Sequence, residues 1–177
     1  MATLAGRMLG AATLNARVYE DVEADTGALG QALAIVLLSS LAAGVGWMGF
    51  GEGRLAAMLI LAATAVAGWV AWAVLIYIIG TRLLPEPQTR TSIGELLRAL
   101  GFAQTPGIIR VLGVIPGVAP VTTGVAALWM LAATVVAVRQ ALDYGGTGRA
   151  VAVCVVGWAL ALIMFVVIGL AFAPSVS

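Results

Sequence analysis

Residues 96–117 read LLRALGFAQTPGIIRVLGVIPG, and four side chains in this stretch can do chemistry that their neighbours cannot: Arg98 at its start, then Gln104, Thr105 and Arg110. Glutamine offers an amide with donors and an acceptor, threonine a hydroxyl, and arginine a permanent positive charge with five N–H donors. Between them sits Pro106, which lacks an N–H and clashes with the carbonyl four residues back, that of Phe102. A helix running through this point is expected to kink there, with Gly101 and Gly107 on either side of the break. Gln104 and Thr105 can then hydrogen-bond the freed backbone groups or a neighbouring helix. Polar groups at a broken helix are also where membrane transporters place their sites, and Arg110 would favour an anion.

Several other kinds of chemistry lack their residues. The chain has no histidine and a single cysteine. An HExxH zinc site and a Ser-His-Asp triad both need histidine. The aspartates Asp21, Asp25 and Asp143 all fall at expected surface positions, so no intramembrane aspartyl dyad is expected. Cys154 lies in an apolar run and reads as a small core hydrophobe. No GxxxxGK[ST] loop is present. These absences argue for a protein that is not an enzyme and carries no cofactor or metal. A net charge of +1 gives no electrostatic footprint for nucleic acid.

The elements that must position Gln104 and Arg110 follow from composition. Hydrophobic residues are 62% of the chain, charged residues only 10%, and the mean hydropathy is +1.10. A soluble domain is about half apolar and roughly a quarter charged, so this balance is that of a polytopic membrane protein. Four runs reach the roughly 20 residues that a helical crossing needs: about 28–48, 55–80, 120–138 and 150–172. Backbone groups in lipid must be satisfied internally, so these are helices.

Arginine placement decides whether 96–115 is a fifth crossing, because short cytoplasmic loops are enriched in basic residues. With the amino terminus inside and the segment crossing, Arg7, Arg17, Arg82, Arg90, Arg98, Arg139 and Arg149 lie inside and only Arg54 outside. If the segment does not cross, Arg139 and Arg149 move outside and the contrast falls to five against three. The reading is therefore an all-α bundle of five transmembrane helices, amino terminus in and carboxyl terminus out. Residues 1–27 form a cytoplasmic leader, 28–173 the membrane domain and 174–177 an outer tail.

Arg110 sits six residues before Pro116, near the outer end of that third span. A charge at a helix centre costs about 2.5 to 3.5 kcal/mol on insertion scales. Glu52, in the outer loop between the first two spans, is the expected partner. Arg82, Arg90, Arg98, Arg139 and Arg149 form a candidate cytoplasmic surface for anionic lipid or a protein partner. Ser92 with Glu95 is spaced for a capping box, and Arg139 with Asp143 for an i,i+4 ion pair.

In the leader, Arg7 interrupts the apolar run too early for a signal peptide. Leu4, Met8, Ala12 and Tyr19 are expected to share the buried face of a short interfacial helix, with Arg7 and Asn15 off it. The acids Glu20, Asp21, Glu23 and Asp25 read as a solvated helix end. Small residues at Ala63, Ala67, Ala71 and at Gly113, Gly117 are spaced for close helix approach.

GELLRALGFAQTPGIIRVLGVIPG, then LWMLAATVVAVRQALDY, then a closing apolar span resemble the prokaryotic branch of the Yip1 family. TLNARVYEDVEADTGALGQALAIVLLSSLAAG is similar to the family's leader and first span. The most specific element is G-[F/Y]-x-x-x-P, here Gly101, Phe102 and Pro106, followed by Trp129 and Arg139-Gln140. The resemblance implies a five-helix membrane domain with a cytoplasmic amino terminus. Eukaryotic members act in vesicle traffic and bind Rab-type small GTPases; they carry a long cytoplasmic leader, and the leader here is under 30 residues. That role is not carried over.

The expected function is a scaffold or accessory subunit of the prokaryotic cytoplasmic membrane, with membrane lipids, other membrane subunits or a second copy of itself as partners. The alternative is a small permease-like or channel-like component whose polar site lies at the broken third helix.

Overall fold

The structure is a computed structural model that describes residues 3–49 and 54–171. Among them every regular element is helical: α1 (Leu4–Ala12), α2 (Ala16–Ala24), α3 (Leu29–Met48), α4 (Arg54–Ile78), α5 (Ile93–Phe102), α6 (Ala119–Ala141) and α7 (Thr147–Ala171). A 3₁₀ turn at Thr26–Ala28 leads into α3, and α4 continues through a π-helical turn, Ile79–Leu83. Four of these helices are long and apolar enough to cross a bilayer: Thr26–Trp47, Leu55–Leu83, Ala119–Ala141 and Thr147–Met164. Local signals set several boundaries. Ser92 caps α5 in a capping box with Glu95, and Pro120 occupies the first turn of α6, where a missing N–H is tolerated.

Residues 93–114 depart from the expected single kinked helix. The α-helix stops at Phe102, four residues before the proline, and from Thr105 to Val114 the chain runs as a 3₁₀ helix. The carbonyl of Phe102, which Pro106 deprives of its α-helical donor, accepts from Thr105 Oγ1 at 2.7 Å. The tighter helix has a reason in packing. Α Cβ added to Gly101 would lie 2.6 Å from Ala32 Cβ, one on Gly107 would strike Ser39 Oγ, and Gly113 faces Gly46.

Residue numbers rise together on both sides of these contacts, so 93–114 lies parallel to α3. Fourteen residues of α3 separate Ala32 from Gly46, about 21 Å at the α-helical rise. Only twelve separate Gly101 from Gly113, about 1.75 Å each, between the α and 3₁₀ values. Gly107 and Gly113, six apart, are two full turns of a 3₁₀ helix and so share a face. The expected Gly113–Gly117 pairing is not made, because Gly117 has φ of 81° and forms the turn into α6. Ala63, Ala67 and Ala71 are likewise unpaired within the chain: all three are exposed on α4.

The buried core lies toward the end of the bundle that holds α2 and the start of α5, with Tyr19, Leu96, Leu100, Phe102, Val138 and Leu142 fully or almost fully enclosed. Elsewhere large apolar side chains face outward, Leu128 at 72% and Leu55 at 69% exposure among them. Such a surface suits lipid and not water.

The leader folds as a helical hairpin, turning at Leu14 with φ of 60° and capped by Asn15. Its buried face is not the one expected. Arg7 and Ala11 point inward and Leu4 is exposed, because Arg7 forms ion pairs with Asp21 at 2.9 Å and Asp25 at 2.8 Å and donates to Gln31. Two of the four leader acids are thereby structural. Tyr19 Oη donates to the Ala11 carbonyl, and Trp129 Nε1 on α6 donates to that of Ala12 at 2.7 Å.

Gly101→Ala is expected to destabilise the protein by about 1 to 3 kcal/mol, since backbone and not a flexible tip stands opposite the new methyl. Gly124→Ala, on α6 with nothing within 4 Å of the added carbon, is expected to be neutral or slightly stabilising. Thermal unfolding in mild detergent measures both, and equal shifts would refute the packing argument.

Candidate functional site

The break before Pro106 opens beside a half-open cavity of about 260 Å³ lined by α3, α4, residues 104–110 and α6. Its polar lining is Ser39, Ser40, Gln104 and Arg110; Trp69, Trp72 and Met130 stand among the apolar walls. Arg110 is half-buried and folds back on its own helix and on α3. Nε donates to the Gly107 carbonyl at 2.9 Å, and Nη2 donates to Ser39 Oγ at 2.7 Å and the Ser39 carbonyl at 3.1 Å. Gln104 lines the cavity, whereas Thr105 and Pro106 are buried behind it and shape the break. Glu52, the expected partner of Arg110, lies outside the described residues. Ser39 and Ser40 join the site only through the fold; their signal in the sequence is the SerSer pair inside LAIVLLSSLAAG, the polar interruption of an otherwise apolar run.

The arginines expected to form one cytoplasmic surface divide into two kinds. Arg82 and Arg90 are exposed. Arg98 is 7% exposed and is used internally: Nε donates to the carbonyls of Val22 and Glu23, and Nη2 also donates to that of Glu23. It therefore clamps the end of α2 and offers nothing to a lipid surface. Arg139 does not pair with Asp143. Helix α6 ends at Ala141, Asp143 takes a left-handed φ of 53°, and Arg139 reaches the Tyr144 carbonyl instead. Arg149 pairs with Glu86 at 3.3 Å and donates to the Pro85 carbonyl at 2.7 Å, tying the start of α7 to the 84–92 connection.

At the same end a second hollow, about 720 Å³, is lined by Glu20, Glu23, Gln88, Arg139, Gln140, Asp143 and Tyr144. Gln140 donates to Glu20 at 2.6 Å. Tyr144 Oη donates to the carbonyls of Leu84 at 2.8 Å and Gly80 at 3.3 Å, and burial pushes its phenol up to about 12. Among the described residues no group of histidine, cysteine or carboxylate side chains is arranged to hold a metal ion.

Four long apolar helices, an apolar exterior and a polar cavity at the depth of the helix centres define a multi-pass helical membrane protein. The chain matches the Yip1 domain over residues 12–168, nearly its whole length, and it belongs to that family. No curated protein and no solved structure matches it.

Glu23 brings a pH dependence to the end of the bundle that holds α2. Burial, then the charges of Asp143, Glu95 and Glu20, raise its carboxyl from 4.5 to about 7, and Arg98 offsets only part of this. The folded state thus binds this proton more tightly than the unfolded chain does. The group's contribution is fully present below about pH 4.5 and is lost as pH rises through about 7. The protein is expected to melt at a higher temperature at pH 5.5 than at pH 8, and Glu23→Gln to flatten that slope. A slope unchanged by the substitution would assign the effect to other groups.

Proposed function

We propose that this Yip1-family protein is a non-enzymatic scaffold or accessory subunit of the prokaryotic cytoplasmic membrane, which assembles with other membrane proteins or organises the lipid around it. The observation that carries this reading is how little of the long helices the chain itself covers. Only 22% of the apolar window is buried in each of Leu55–Leu83 and Thr147–Met164. Those faces suit lipid or the helices of partners, including further copies of this chain. The residue content supports a role without catalysis, since histidine is missing altogether.

The proposed topology is five crossings, amino terminus inside and carboxyl terminus outside, with 93–114 as the third. Two observations favour it. That segment lies parallel to α3 from the level of Ala32 to that of Gly46, and α6 returns antiparallel, with Thr123 bonded to Trp47 and Gln140 to Glu20. The arginines of the leader, the 82–98 region and the 139–149 region also gather at one end, as the positive-inside rule asks of a cytoplasmic face.

In a Cys154→Ala background, Pro116→Cys is expected to react with a membrane-impermeant maleimide on intact cells, while Thr91→Cys and Gly146→Cys are not. Labelling at Gly146→Cys from outside would give four crossings instead. Purification in nanodiscs followed by mass spectrometry is expected to recover a stoichiometric membrane partner or a defined homo-oligomer. A solitary monomer that conducts a solute would overturn the scaffold reading.

A further inference from the structure

The cavity beside Pro106 contains more hydrogen-bond donors than the protein uses. Among the described residues Arg110 Nη1 has no acceptor, although Nε and Nη2 are engaged. Ser39 Oγ accepts from Arg110, which leaves its own proton to donate. Gln104 lines the same space, and its side-chain amide makes no hydrogen bond among the described residues. Three residues with donors, one of them cationic, line the cavity, and among the described residues no carboxylate does. Ser39 lies ten residues into α3, about 15 Å along the helix, so the charge sits far from either end. A cation with no carboxylate beside it among the described residues gains most from an anion in such surroundings.

The rest of the wall is apolar and partly aromatic, with Trp69, Trp72 and Met130 around the polar corner. A hydrated inorganic anion would leave these side chains without a partner. A volume of about 260 Å³ is small beside ordinary ligand pockets of about 300 to 1,000 Å³. It suits a head group with the first part of one chain, and not a two-chain lipid.

We infer that this cavity binds a single-chain anionic amphiphile, a fatty-acid carboxylate, with the carboxylate on Arg110 Nη1, Ser39 Oγ and Gln104 and the chain against Trp69, Trp72 and Met130. The inference rests on the chain lying in a membrane and not on the proposed partner assembly, so either can fail alone.

Three probes separate the possible occupants: decanoate, decanol with the same tail and no charge, and acetate with the charge and no tail. Each is added to the full-length protein in phosphatidylcholine nanodiscs while thermal unfolding is followed. Decanoate is expected to raise the unfolding temperature saturably, by roughly 5 °C at about a hundred times its Kd. Decanol and acetate are expected to leave it within about 1 °C, a small fraction of that saturating shift.

Arg110→Gln is expected to abolish the shift, and Arg82→Gln, on the exposed surface, to keep it. Gly68 also lines the cavity, and nothing stands within 4 Å of a carbon added to it. Gly68→Leu adds bulk at the rim of the cavity without touching the hydrogen bonds of Arg110, and it too is expected to reduce or abolish the shift if Arg110→Gln does not fold. An equal shift with acetate would make this a free-anion site, and an equal shift with decanol an apolar void. Retention of the decanoate shift in Gly68→Leu, or its loss in Arg82→Gln, would place binding elsewhere. Each of these four results overturns the inference.

Discussion

The close approach of residues 101–113 to α3 is the contact on which the other features depend. Gly46 stands so near the Arg110 carbonyl that a methyl group would collide with it, and Gly101 and Gly107 meet Ala32 and Ser39 in the same way. Two backbones this close gain dispersion contacts along their length, which is the main attraction left to helices whose surroundings are as apolar as their side chains. The 3₁₀ winding keeps Gly107 and Gly113 on one face. It also carries Arg110 round to Ser39, and the change of winding at residues 103–105 leaves room for the cavity.

The arginines show how one residue type serves three physical ends. Arg82 and Arg90 stay in water, where a charge needs no partner. Arg7 and Arg98 are buried and held internally: Arg7 by two carboxylates and an amide, Arg98 by backbone carbonyls at the end of α2. These two lock the leader hairpin to the bundle. Arg110 holds Ser39 and its own Gly107 carbonyl and, unlike those four, lines the cavity beside Pro106.

Features encoded within one or two turns of chain were legible in the sequence. The capping box of Ser92 and Glu95, the proline in the first turn of α6 and the apolar lengths of the long helices are all local. What could not be read depended on contacts between distant segments. The acceptors of Arg98 lie 75 and 76 residues away, and Ser39 lies 71 residues from Arg110. Periodicity assigned Arg7 to the wet face of its helix, because nothing local reveals that Asp21 and Asp25 fold back over it. The Arg139–Asp143 pair failed for a related reason: i,i+4 spacing brings side chains together only while the helix continues, and α6 ends between them. At the cavity, Gln104 and Arg110 stood out by type, whereas Ser39 and Ser40 gained meaning only once α3 lay beside them.

The dependence of Arg110 on Ser39 also bears on the order of assembly. Its acceptors are its own Gly107 carbonyl and a helix synthesised well before it. In the proposed five-crossing topology residues 93–114 carry a charge, a proline and a change of helix type into hydrocarbon, where alone they are a poor candidate for stable insertion. With α3 already in place, the guanidinium meets its acceptors and the glycines meet their complementary surface at once. The earlier helix thus acts as a template within the chain, and vectorial synthesis from the amino terminus supplies it before it is needed.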